Sequence, residues 1–242
     1  MKGLGTLVNF AAVLAGGIIG MFLKNGISDR IRTIVMQACG LSVIFIGAAG
    51  VLCGMLRVSD GIITSQNAML ITASLVTGGI AGQIINIEKR LDSLGERLKS
   101  WVGSSGDSRF AQGFVTATLV ICVGAMAIVG SLKDGISGDV SMLFIKSVLD
   151  FVIIVVLAAV YGSGVMFSAF PLLGYQGLIT VFAAVLEPFM SEALISDLSC
   201  VGSVLVFGVG INLTFGNKIK VGNLLPAFLI PVVYEIILNF FS

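Results

Sequence analysis

The chain is written as long apolar runs separated by short polar or charged stretches. A helix that crosses a hydrocarbon layer needs about 20 apolar residues. Runs of about that length fall at residues 4–23, 34–56, 68–87, 110–132, 141–167, 170–190, 198–215 and 221–241. The pattern predicts an all-α, polytopic transmembrane helix bundle of eight spans, a single transmembrane domain over residues 1–242. Run 198–215 is short, and the last run carries Pro226 and Pro231. The alternative is seven spans, with one of these two re-entrant or broken. The first run follows Lys2 without a small-residue cleavage site, so it is expected to be a retained span and not a signal peptide.

One polar stretch, residues 86–102, has a period of its own. Ile87, Leu91, Leu94, Leu98 and Trp101 recur at helical spacing, and Glu88, Lys89, Arg90, Asp92, Glu96, Arg97 and Lys99 fill the other faces. This predicts an amphipathic cytoplasmic helix. It either lies on the membrane surface with Trp101 at headgroup level, or extends the third span and packs on a neighbour. The GSSGDS that follows is a flexible linker.

Composition agrees with the runs. Hydrophobic residues make up 57% and charged residues 11%, against roughly a quarter charged in soluble domains. Net charge is +1, which offers nothing to nucleic acid. Grouping the loops alternately puts Lys24, Arg30, Arg32, Lys89, Arg90, Arg97, Lys99, Arg109, Lys218 and Lys220 in one set. The other set holds Lys2, Arg57, Lys133 and Lys146, with an acidic loop of Glu187, Glu192 and Asp197. The positive-inside rule then places the first set in the cytoplasm and the N-terminus outside. There is no histidine, and the four cysteines form no CxxC. With no metal-ligand cluster and no nucleophile–base pair, neither an enzyme nor a cofactor is expected.

Internal repeats are expected. GGIIG at Gly16–Gly20 matches GGIAG at Gly78–Gly82, and LSVIFIGAAGV from Leu41 matches TLVICVGAMAI from Thr118. Each copy ends in an Asp-Gly pair, Asp60-Gly61 and Asp134-Gly135, expected to be turns. The repeat-like hairpins cover 4–66 and 68–139, and the second half of the chain covers 140–242. Gly16, Gly20, Gly78 and Gly82 have the spacing that lets two helix backbones approach closely, so they are expected to be packing positions.

Polar residues inside apolar runs are the candidate chemistry. Lys146 and Asp150 lie four apart on one helix face. Either they form a site for an ion or solute, or they are an interfacial pair with Lys146 snorkelling outwards. Ser168 and Gln176 flank a Gly/Pro-interrupted region, where freed backbone groups need a protein partner or a wet cavity. Asn212 falls in the run 198–215 and Glu235 in the last run. Gln37, Gln83, Gln112 and Asn9 are further amides in apolar sequence, each suited to an interhelical hydrogen bond.

The blocks GGIIGMFL with DRIR, GGIAGQIINIEKRL, CVGAMAIVGSLKDGISGD, KSVLD, GSGVMFSAFPLLGYQGLIT and GVGINL with IKVGNLLPA together resemble the bacterial membrane proteins grouped as domain of unknown function 554 (YqgA/YdfK-like). The resemblance covers nearly the whole chain. Phe151 stands where that family is expected to carry Gly after KS–LD. The resemblance implies a multi-pass protein of the bacterial cytoplasmic (inner) membrane, with no established catalytic residues to transfer. The repeats, Gly-rich helices and intramembrane polar residues point to a transporter or channel for a small solute or ion. Asp150, Gln176, Asn212, Glu235 and Ser168 are its candidate path. The alternative is a non-transporting scaffold or regulatory protein with helix 86–102 as its docking surface. Membrane lipids and a second copy of the chain, as a homo-oligomer, are the other expected partners.

Overall fold

A computed structural model of the chain describes residues 2–24, 28–59, 61–103, 109–122 and 125–241. The apolar runs become helices because a chain in hydrocarbon must satisfy its own backbone hydrogen bonds. The helices are α1 (Leu4–Lys24), α2 (Asp29–Met55), α3 (Ala68–Ile85), α4 (Ile87–Trp101), α5 (Phe110–Cys122), α6 (Ala125–Ile136), α7 (Ser141–Tyr161), α8 (Ala169–Val181), α9 (Ala183–Leu186), α10 (Glu192–Phe215), α11 (Val221–Leu224) and α12 (Leu229–Phe241). Short 3-10 segments join some of them at Ser163–Ser168, Glu187–Phe189 and Leu225–Phe228. Strands β1 (Leu56–Ser59) and β2 (Ile62–Ser65) form an antiparallel hairpin.

Among the described residues, six helical segments are long and apolar enough to cross a membrane, or seven if the bent pair α5–α6 counts as one. The protein is an all-α polytopic bundle. Phe22, Phe45, Met69, Ile84 and Val181 are all more than two-thirds exposed, an arrangement costly in water and natural against lipid.

The chain forms two compact units, residues 1–39 with 91–189 and residues 40–90 with 190–242. In the first, α1 and α7 run parallel in close contact. Gly5 faces Leu143, Gly16 faces Phe151 and Ile154, and Gly20 faces Val155 and Ala158. A Cβ on Gly16 would lie 2.9 Å from the Phe151 carbonyl. The close packing at Phe151 is therefore provided by the glycine on the opposite helix. Helix α8 runs antiparallel to α1, with the Phe10 and Phe170 rings edge to face at 5.7 Å. Helix α5 runs antiparallel to α7, with Gly113 beside Tyr161 and Ile121 beside Lys146. The expected span 110–132 is occupied by two helices, α5 and α6, inclined by 63°, and residues 123–124 between them lie outside the described residues.

In the second unit α2 and α10 are antiparallel, pairing Gly40 with Thr214, Gly47 with Phe207 and Gly54 with Cys200. Helix α3 lies antiparallel to residues 221–228, with Gly78 against Ala227 and Gly82 against the Asn223 backbone.

Several elements differ from the sequence expectation. The short run 198–215 is the 24-residue helix α10. It starts earlier because Ser191 caps it, accepting from the Leu194 amide at 3.0 Å. Glu192 and Asp197 are therefore helical, and Asp197 is buried against Asn67 Nδ2 at 2.7 Å. The last run is divided by its prolines into α11, a 3-10 turn and α12, and its apolar helix Val221–Ile237 falls short of a full span. Of the expected turn at Asp60-Gly61, Gly61 has φ +76° and Ser59 pairs with Ile62, while Asp60 lies outside the described residues. Asp134-Gly135 is not a turn. Both residues lie inside α6, and the chain reverses at Gly138, φ +72°.

Helix α4 touches α5 where Gly95 meets Ala111. Leu94 and Trp101 on its apolar stripe remain exposed.

A buried polar file around the Lys146–Asp150 pair

Lys146 and Asp150 face inward from α7, while its opposite face, with Ile145, Val148, Leu149 and Val152, is exposed. Helical spacing alone sorts them, since residues four apart share a face. Asp150 is the tenth residue of α7, about 14 Å from the helix start and so near mid-depth of a hydrocarbon layer of about 30 Å. Lys146 is 6% and Asp150 4% exposed. Snorkelling is thus excluded for Lys146. Its ammonium donates to Asp150 Oδ2 at 2.6 Å, to Oδ1 at 2.8 Å and to the Ile121 carbonyl at 2.8 Å.

The third partner comes from α1. Asn9, fully buried, donates from Nδ2 to Asp150 Oδ2 at 3.0 Å and to Gln176 Oε1 of α8 at 3.3 Å. These contacts fix both amides. A carboxylate accepts only, so Asn9 must turn its NH2 towards Asp150. That NH2 then meets the Gln176 oxygen. The remaining Asn9 Oδ1 and Gln176 Nε2 are buried and find no partner among the described residues. Each such atom costs about 1–3 kcal/mol unless something binds it.

The polar file continues along the antiparallel faces of α1 and α8. Thr6 Oγ1 lies 3.1 Å from Thr180 Oγ1, and the Thr180 hydroxyl reaches the Ser131 carbonyl at 3.2 Å. Thr180 has one proton and directs it to Ser131, so Thr6 is the donor between the two threonines. Ser131 Oγ is a third buried atom with no partner among the described residues. The file ends at Asp134, which is fully buried and accepts from the Gly3 amide at 2.9 Å and the Thr6 amide at 3.2 Å. It caps α1 from another helix, placing negative charge at the positive end of the helix dipole.

The family model described as "Protein of unknown function (DUF554)" matches residues 4–236. The chain belongs to this family. It is 34% identical over 238 residues to "Uncharacterized membrane protein YdfK" of Bacillus subtilis (strain 168), covering 98% of each chain. It is 27% identical over 233 residues to "Uncharacterized protein YqgA" of Escherichia coli (strain K12), covering 95% of this chain and 94% of that one. No solved structure matches it significantly. The apolar spans and the membrane-protein relative agree that this DUF554 chain is a membrane protein.

The other sequence candidates of the DUF554 chain lie elsewhere. Asp150 and Gln176 share one network, joined through Asn9. Ser168 is buried but spends its hydroxyl on the Val165 carbonyl at 2.7 Å, inside its own 3-10 segment. Asn212, in the second unit, holds the 216–220 loop. Its Nδ2 donates to the Ile219 carbonyl at 2.6 Å, and its Oδ1 accepts from the Lys218 and Ile219 amides at 2.9 Å each. Glu235, also in the second unit, accepts from the Ser191 hydroxyl at 2.6 Å. A surface recess of about 490 Å³ in that unit is lined mainly by apolar side chains, with Gln83, Lys220 and Asn223 at its polar edge. Gly16, Gly20, Gly78 and Gly82 all sit at backbone-to-backbone contacts. Sequence reasoning missed Thr6, Ser131, Asp134 and Thr180. The helical register of Thr6 with Asn9, and of Gln176 with Thr180, was the available signal.

Proposed function

We propose that this DUF554 protein is a transporter or channel for a small solute or ion, without enzymatic activity. The observation that carries the proposal is the buried Lys146–Asp150 pair, joined to Asn9 and Gln176 near mid-depth of α7 and facing the bent helix pair α5–α6 through the Ile121 carbonyl. Ionisable groups in hydrocarbon cost about 2.5–3.5 kcal/mol each on insertion scales and mark ion and substrate pathways. Discontinuous helices at mid-depth are where transporters place such sites. Asn9 Oδ1 and Gln176 Nε2, without a partner among the described residues, give a passing solute an acceptor and a donor. The test is flux through proteoliposomes with panels of alkali salts and small polar solutes. Wild type should move at least one of them faster than protein-free vesicles, and Asp150→Asn should lose that flux. A wild type that moves none of them sinks the reading.

The same reading places the protein in the bacterial inner membrane as a homo-oligomer, N-terminus outside. With Lys146 buried in α7 and so out of the count, the bias of ten Lys and Arg against Lys2, Arg57 and Lys133 supports this orientation. Single cysteines in a cysteine-free chain, at Lys2 and at Lys218, should react with an impermeant thiol reagent from opposite sides. The mass of the purified particle reports the copy number. The exposed Leu94 and Trp101 of α4 favour a second role for that helix at the membrane surface or on a partner. Crosslinking from position 101 that captures only lipid would remove the docking role.

A further inference from the structure

We infer that the recess in the second unit binds a single anionic phospholipid, with its phosphate at Lys220 and an acyl chain lying along α3. This is a different site from the buried pair, and the inference stands without the transport reading.

The recess has the reach of one acyl chain in one leaflet. Its wall on α3 runs from Val76 to Ile84, about 12 Å of helix, against about 15 Å for half a hydrocarbon layer. Helix α3 ends at Ile85, so the recess opens at the end of a span. Val76, Ile80 and Ile84 recur every four residues and form one outward stripe, 54%, 58% and 80% exposed. Gly78 and Gly82 bring α3 against Ala227 and the Asn223 backbone, but a Cβ on Gly79 would meet only Leu224 Cδ2, at 3.0 Å. The helix therefore closes on residues 221–228 along one line and leaves a groove beside it, floored by Gly79. Its volume of about 490 Å³ is within the range of about 300–1,000 Å³ that holds organic ligands.

The open end sets the headgroup. Asn223 Oδ1 accepts from the Glu88 amide at 2.7 Å, so its NH2 faces Gln83 and donates to Oε1 at 2.8 Å. That turns the Gln83 NH2 away from Asn223, and Nε2 has no partner among the described residues. Lys220 is exposed and has no ion pair among the described residues. Glu88, an acid at the same corner, spends Oε2 on the Gly222 amide at 2.6 Å. Lys218 adds a second exposed cation two residues away. A cation and an amide donor fit a phosphodiester. A headgroup with its own ammonium would bring positive charge back to Lys220. Phosphatidylglycerol is therefore preferred over phosphatidylethanolamine, by about fivefold for each basic residue near the phosphate.

The test is native mass spectrometry of the full-length protein in detergent with equal amounts of phosphatidylglycerol and phosphatidylethanolamine. Wild type should retain one phosphatidylglycerol with a preference of about fivefold or more. Lys220→Glu should abolish the preference, and Lys220→Gln should reduce it and serves if the glutamate variant does not fold. Lys133→Glu, the same charge change at an exposed lysine of the first unit, should leave it intact. Gly79→Leu, which fills the groove, should lower retention of both lipids. Equal retention of the two lipids by wild type overturns the inference. So does a preference that survives both Lys220 variants, or one that Lys133→Glu removes as well. Displacement of the lipid by glycerol phosphate at equal concentration would assign the site to the headgroup alone and overturn the acyl-chain groove. A dimer that Gly79→Leu converts to monomers would give the groove to a second copy, and overturns the inference too.

Discussion

Removing one partner of the buried pair should damage the protein more than removing both. Asp150 accepts three hydrogen bonds, two from Lys146 and one from Asn9. In Asp150→Asn the ammonium loses its counter-charge and meets an amide that must turn its own NH2 either to Lys146 or to Asn9, both donors. In Lys146→Met the carboxylate keeps only the Asn9 amide. Breaking a buried pair from either side costs about 3–5 kcal/mol, because one charge stays in the interior unpaired. Lys146→Met/Asp150→Asn contains neither charge, and its new amide can still accept from Asn9. Its cost should fall to about 1–2 kcal/mol, the loss of hydrogen bonds alone. The coupling between the two sites is then several kcal/mol, well above the roughly 0.5 kcal/mol within which independent sites add. At about 2–4 °C per kcal/mol for a chain of this size, each single variant should unfold on the order of 10 °C lower, and the double variant well above either. The assay is thermal unfolding in detergent at fixed ionic strength. Single variants within a degree or two of wild type, or a double variant whose loss equals the sum of the singles, would refute the buried pair as described.

Three further outcomes follow from the packing. Asp134→Ala leaves the Gly3 and Thr6 amides unpaired at the start of α1 and should cost about 1–3 kcal/mol, seen as a lower unfolding temperature; an unchanged value would mean that α1 is not capped by α6. Gly20→Ala and Gly82→Ala place a methyl group against the Val155 and Asn223 carbonyls and should destabilise by about 1–3 kcal/mol. Gly174→Ala and Gly177→Ala, in α8 with nothing near the added methyl, should be neutral or stabilising by up to about 1 kcal/mol; thermal unfolding of the four variants that fails to divide them this way would contradict the helix contacts. Trp101 is the chain's single tryptophan and is 87% exposed. In liposomes its emission should be blue-shifted and quenched by headgroup-labelled lipid, and free access to aqueous iodide would remove α4 from the membrane surface.

What the sequence determined by itself was everything that depends on neighbours along the chain. Run length and apolarity gave the membrane class and the helices, since a bilayer leaves an apolar segment little alternative to a helix. The four-residue spacing of Lys146 and Asp150 put them on one face, and the GxxxG spacings marked close-packed helix faces. Tertiary structure decided what lies across from each. Asn9, Asp150 and Gln176 are far apart in the chain, and no local periodicity says that an amide of α1 will meet a carboxylate of α7. The same holds for Asp134. An Asp-Gly pair suggests a turn by propensity, yet its carboxylate is wanted at the N-terminus of α1, and a helix continues through it. Asn212 was legible as an amide in an apolar run, but only the fold shows that it is consumed by its own loop. Propensity and hydropathy are sums over adjacent residues. A polar group in a membrane is satisfied by whatever the fold brings to it, and that is settled by contacts distant in sequence.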